Sequence, residues 1–264
     1  MITISKIITK LKPITFGLSA AIAFNLIGCS TPSKEAYYNN LEAEQIFNEG
    51  LTHLQKHHYH DAIIDFEALE ARYPFGSYGD KAQLGEIYGF YKTREYASVM
   101  AAADRFIRVY PVHPHLDYVL YMRGLASVAD LHGSMSRLPM ERNERDLTNA
   151  ELAIQDFSRL IQRYPNSTYI PSASRYMIYL RNLLAEHEMV ASEYYYRRGA
   201  YLAAANRAKD VLEHYDQTPA VQSALVILIK SYRQLELNDL ANHYLNLLNE
   251  HFPNEPAIKK LNRG

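Results

Sequence analysis

The chain has 264 residues, a formal net charge of −1 and a hydrophobic fraction of 48%. Without a basic excess it exerts no general electrostatic pull on nucleic acid or anionic lipid. A single cysteine excludes an intrachain disulfide, and the length is ample for a sizeable core.

Residues 1–28 stand apart. Lys6, Lys10 and Lys12 are their only charges. Ile14 to Ile27 is largely apolar but short of the roughly 20 residues that a membrane span needs. A charged start followed by a short apolar run reads as an export signal. It ends in Leu26-Ile27-Gly28-Cys29, and Cys29 is the one cysteine. Leu-x-Gly-Cys in this place resembles the bacterial lipobox. The resemblance implies that 1–28 is a lipoprotein signal peptide and that Cys29 becomes the mature N-terminus, carrying S-diacylglycerol and an N-acyl group. Ser30, in place of Asp, implies sorting to the outer membrane. One acyl chain binds a bilayer marginally; two or more hold firmly, at about 0.8 kcal/mol per buried CH₂. Losing three Lys leaves a mature charge of 25 − 29 = −4. Residues 29–40 read as a lipidated tether.

From residue 41 onward one phrase recurs. A helical stretch closes on aromatic-Pro at Tyr73-Pro74, Tyr110-Pro111, Tyr164-Pro165 and Phe252-Pro253, with a degenerate copy at Tyr215-Asp216. Eleven residues before each aromatic stand Ala62, Val99, Ala153, Ala204 and Ala241. Seven before stand Phe66, Ala103, Phe157, Ala208 and Leu245. Four before stand Leu69, Phe106, Leu160, Val211 and Leu248. Steps of three and four make one apolar helical stripe, and five copies mean stacked units. Gly50, Tyr59, Ala62, Phe66 and Pro74 fit the tetratricopeptide pattern of paired antiparallel helices. The predicted fold is all-α: a solenoid of about five tetratricopeptide-like helix-turn-helix repeats. It spans 41–264, with N-terminal repeats over 41–165, C-terminal repeats over 166–253 and a polar tail over 254–264.

The spacing between closing aromatics rises from 37 to 54 residues at the third unit, which places an insertion at His132 to Leu147. Gly133 there is a candidate joint. The fourth unit has a long first helix over Pro171 to Arg198, free of internal Gly and Pro.

First helices line the concave face of such a solenoid, where extended or helical peptides dock. They offer Phe47, Leu51, Tyr88, Tyr91, Tyr118, Tyr121 and Met122, with Arg94 and Arg123 nearby to meet a peptide carboxylate. Aromatics at this spacing also build inter-repeat core, so about half of these are expected to be buried. Tyr194, Tyr195 and Tyr196 are consecutive, so at least one must face solvent as a partner anchor. Arg197 and Arg198 follow at the helix end, where cations suit the dipole. No catalytic constellation is found. The histidines of His57-His58-x-His60 diverge if they lie on one helix, Lys56 opposes a cation, and no ligand set is completed. The prediction is no metal, no other cofactor, no nucleic acid and no enzymatic activity.

Specific strings carry a closer resemblance. Leu69-Glu70-Ala71-Arg72-Tyr73-Pro74-Phe75-Gly76, Asp104-Arg105-Phe106-Ile107-Arg108, Tyr121-Met122-Arg123-Gly124-Leu125 and Arg163-Tyr164-Pro165-Asn166-Ser167 resemble the BamD (ComL/YfiO) family, the tetratricopeptide lipoproteins of the outer-membrane β-barrel assembly machinery. Glu193-Tyr194-Tyr195 with Arg198-Gly199-Ala200 resembles its later repeats. The insertion departs from the family by lacking aromatics. The resemblance implies a scaffold facing the periplasm that holds a BamA-like barrel protein, other Bam lipoproteins and unfolded outer-membrane proteins. It puts substrate on the N-terminal groove and BamA on Tyr194, Tyr195, Arg197 and Arg198. Two other readings are a competence or cell-wall lipoprotein, and a tetratricopeptide regulator of a wall synthase.

Overall fold

The computed structural model describes residues 37–74, 76–137, 147–253 and 261, with backbone alone for 132–137. The predicted signal peptide, Cys29, the greater part of the insertion and nearly all of the tail lie outside the described residues. The chain divides into two units, 1–40 and 41–264. In the second, the described residues form ten helices: α1 (Ala43–Gln55), α2 (Tyr59–Arg72), α3 (Gly79–Thr93), α4 (Tyr96–Val109), α5 (Leu116–Arg137), α6 (Thr148–Arg163), α7 (Ile170–Arg197), α8 (Tyr201–His214), α9 (Ala220–Gln234) and α10 (Asn238–His251). Each packs against the next in sequence, giving five antiparallel hairpins. Among odd-numbered helices α1 also meets α3, α3 meets α5, and α7 meets α9, which puts these first helices on the inner side of the stack.

The repeat is written into the backbone. Tyr73, Tyr110, Tyr164, Tyr215 and Phe252 cap the second helices with φ between −124° and −133° and ψ between 35° and 63°. Each donates its N–H to the carbonyl four residues back: Leu69, Phe106, Leu160, Val211 or Leu248. Tyr215 does so without a following proline. The cap therefore forms through a main-chain bond to the carbonyl of a buried residue, and proline only enforces the exit.

The turn between first and second helix recurs as well. His58, Glu95, Ala200 and Leu237 donate to the carbonyls of His53, Phe90, Tyr195 and Tyr232, five residues back. The residue before each is left-handed: His57 (φ 61°), Arg94 (65°), Gly199 (77°) and Glu236 (60°). These are Schellman closures. In unit three α5 runs on to Arg137, through Gly133, and the residues that follow it lie outside the described ones. The insertion thus starts inside a helix, where the sequence suggested a joint.

Packing follows the predicted stripe. Ala62, Val99, Ala153, Ala204, Phe66, Ala103, Phe157 and Ala208 are all 0% exposed; only Leu245, in the last unit, is half-buried. Phe66 sits in a slot between two first helices. A Cβ on Gly50 or on Gly85 would come within 2.5 Å of its ring, and one on Gly124 equally close to Phe157.

Two further cores divide at α7. Residues up to Leu184 pack with the N-terminal core, and Ala185 and Met189 pack with the C-terminal one. The long α7 was anticipated from the Pro171–Arg198 stretch, and Pro171 occupies its first turn.

Candidate functional site

A band of tyrosines crosses the first helices of units two to four. Tyr59 meets Tyr88 edge-on, with ring centroids 6.1 Å apart, and the Lys92 ammonium lies over both rings. Tyr118 is half-buried and lies near Tyr88, with its ring centroid 6.0 Å from that of Tyr169. Tyr169 stacks on Tyr121 at 4.7 Å, and the Tyr121 hydroxyl pairs with that of Ser172 at 2.8 Å. Tyr176 stacks on Phe157, and Tyr91 closes the group beside Tyr96, Tyr121 and Tyr176. Burial raises the phenols of Tyr91, Tyr118 and Tyr169, so all keep their protons at neutral pH and present donors. The band ends in a cleft of about 360 Å³ lined by Ser172, Arg175, Tyr176 and Tyr179. Ile178 beside it is 62% exposed, an apolar side chain facing solvent.

The predicted groove residues separate into three groups. Leu51 and Tyr88 are exposed. Phe47, Tyr91, Tyr118 and Tyr121 are half-buried; Phe47 packs on Phe66 and Tyr78 and builds the first hairpin. Met122 and Arg123 do not line the groove. Met122 is 5% exposed within the core. Arg123 is forked onto Asp156, with Nε 2.9 Å from Oδ2, and also pairs with Asp104. A guanidinium held by two carboxylates is not free for a peptide. Arg94 is exposed at the left-handed turn that follows α3.

Tyr169, Arg175, Tyr176, Ile178 and Tyr179 were missed by the sequence reading. One signal for Tyr179 was present. Tyr88 stands fourteen residues after Pro74, and Tyr179 fourteen after Pro165, so they share a register on units two and four.

The second predicted patch lies at the far end of α7. Tyr194 is 44% exposed, and the Arg198 guanidinium lies 5.3 Å from its ring centroid. Arg197 is exposed and pairs loosely with Glu193 at 3.6 Å. Tyr195 packs into the C-terminal core and Tyr196 meets Tyr201. The consecutive tyrosines are thus divided between surface and core, as helical geometry requires. Beside them Glu193, Tyr196, Arg197, Gln222, Ile227 and Lys230 line a cleft of about 310 Å³ between α7 and α9.

Hairpins in series with an aromatic inner face and mixed-charge end clefts define a helical-repeat docking scaffold. A family model described as outer membrane lipoprotein (YfiO) matches residues 39–248. The outer membrane protein assembly factor BamD of Vibrio cholerae is 39% identical over 224 residues, covering 84% of this chain and 92% of that protein. The BamD of Pasteurella multocida is 37% identical, covering 88% of each chain. That of Neisseria meningitidis serogroup B is 34% identical, covering 92% of this chain and 93% of its own. The chain belongs to the BamD (YfiO) family of outer membrane lipoproteins.

Proposed function

We propose that this protein is a non-enzymatic scaffold of outer-membrane β-barrel assembly, tethered by acyl chains on Cys29 and facing the periplasm. It works by holding partners in place, with no bond made or broken. The tyrosine band from Tyr88 through Tyr121 to Tyr179 carries this reading. It offers rigid area with polar tips to the aromatic-rich strand ends of unfolded barrel proteins. The exposed Tyr194–Arg198 pair and the cleft beside it suit a second, permanent partner, a BamA-like barrel protein, with other Bam lipoproteins alongside. A mature charge of −4 favours neither nucleic acid nor anionic lipid, so the membrane is met through the anchor.

The test is a pull-down of the full lipoprotein from mild detergent. A BamA-like barrel protein is expected to co-purify, and Arg198→Glu to reduce its recovery at least fivefold with unchanged helical circular dichroism. Recovery of a wall synthase without a barrel protein would replace this reading with that of a synthase regulator. Cys29→Ser is expected to move the protein from the membrane pellet to the soluble fraction.

A further inference from the structure

The α1–α2 turn brings together side chains that the tyrosine groove and the α7 patch do not use. His57 is left-handed and His58 is the N-cap of α2, so the two adjacent histidines do not share a helix face. The residues that converge are His53, from the last turn of α1, with His58 and Asp61, from the start of α2. One ring nitrogen of each histidine and one carboxylate oxygen of Asp61 lie within 4.8 Å of one another. His58 and Asp61 are exposed, so the cluster is open to solvent.

A second observation concerns the other side of His53. Its Nδ1 is 2.6 Å from Oδ2 of Asp65, whose side chain is only 4% exposed. A carboxylate on Nδ1 keeps the proton there, leaves the lone pair on Nε2 and locks the ring. That is the orienting arrangement found behind metal-bound histidines.

We propose that His53, His58 and Asp61 bind a divalent transition metal ion, with Zn²⁺ the best chemical match, and that Asp65 is the positioning residue behind His53. Two imidazoles and one carboxylate are a three-ligand zinc set with water as the fourth ligand. Bonds of about 2.1 Å put tetrahedral ligand atoms roughly 3.4 Å apart, so rotation of the two exposed side chains closes the site. The N-terminal dipole of α2 disfavours a cation there, but the C-terminal carbonyls of α1 adjoin the same turn and oppose it. The bound ion would cross-link α1 to α2.

The full lipoprotein, purified in detergent without a histidine tag, is titrated with Zn²⁺ at pH 7.5 by calorimetry. Asp210, Glu213 and His214 form the other three-residue cluster among the described residues, so each variant is also made on an Asp210→Ala background. One equivalent is expected to bind and to raise the thermal midpoint. His58→Ala and Asp61→Ala are each expected to weaken binding at least tenfold. His60→Ala, which removes a neighbouring histidine outside the cluster, is expected to stay within twofold. Asp65→Asn leaves every ligand in place and is expected to cost 10- to 100-fold with the circular dichroism unchanged. No stoichiometric binding, or His58→Ala and Asp61→Ala binding as the parent does, would overturn the site. Unchanged affinity in Asp65→Asn would remove its positioning role.

Discussion

The N-terminal and C-terminal repeats share one backbone pattern and are held together by different means. Through α6, phenylalanines fill slots cut by glycines, and arginines reach across to the nearly buried carboxyl groups of Glu86 and Asp156. Arg105 meets Glu86 at 2.6 Å and Glu70 at 3.2 Å, joining α4 to α3 and α2. Arg123 joins α5 to α4 and α6 through Asp104 and Asp156. From α7 onward no glycine slot holds a phenylalanine among the described residues; Ala204, Ala205, Ala208 and Ala224 lie in the core with the aliphatic Leu228 and Ile229, all 0% exposed. The buried Ser192 hydroxyl donates to the Ala204 carbonyl at 2.8 Å. Ion pairs there, such as Arg207–Glu188 and Arg181–Asp216, lie toward the surface. A repeat thus fixes where helices end and turn; what fills the space between them is free to vary. Buried pairs set register at a cost in desolvation, while alanine contacts allow close approach with little specificity.

The contrast is most sharply broken by removing one arginine from each half. Arg123→Ala strands Asp156, whose side chain is 6% exposed, and is expected to cost about 3–5 kcal/mol in urea unfolding. Arg207→Ala removes a more exposed pair and is expected to cost less than about 1 kcal/mol. Equal losses would erase the distinction. Next in size is Gly85→Ala, which drives a Cβ against a ring already confined by Gly50; about 1–3 kcal/mol of destabilisation is expected from the same measurement.

A smaller effect appears with pH. Burial, reinforced by Glu70 and Glu67, raises Glu86 to about 8. The Arg105 guanidinium pulls the other way but is shared with Glu70, and burial wins. Because the folded state holds this proton more tightly than the unfolded one, its contribution is full below about pH 4.5 and falls as pH rises toward 8. The thermal midpoint is expected to decline from pH 5 to 8 and to flatten in Glu86→Gln. Smallest is the turn position. Arg94→Gly and Glu236→Gly place glycine where Gly199 already stands, and each is expected to gain about 0.5 kcal/mol, since a side chain in the left-handed region costs about 1–2 kcal/mol and glycine returns part of that as chain entropy.

Much of this stack is legible in the residues alone. The second helices declare themselves because their three anchor positions are buried in nearly every unit and end on an aromatic cap. The first helices are less readable. Met122 and Tyr121 are neighbours of similar apolar character, and only the placement of α6 and α7 makes one core and the other groove. Arg123 resembles a free cation until Asp156, 33 residues away, is seen to hold it. The length of α5 was hidden because Gly133 and the charges after it suggest a break. The His53 cluster was obscured because its members come from two helices, and the eye falls on His57-His58 instead.

The continuity of α7 has a mechanical consequence. Its 28 residues span about 42 Å, with no glycine or proline after Pro171. Tyr179 and Tyr194 are fifteen residues apart, about 22 Å along the axis and about 60° around it. The helix is clamped near its middle where one core gives way to the next. It therefore behaves as a stiff shaft, and torque applied at one end is felt at the other, with no glycine or proline between to absorb it.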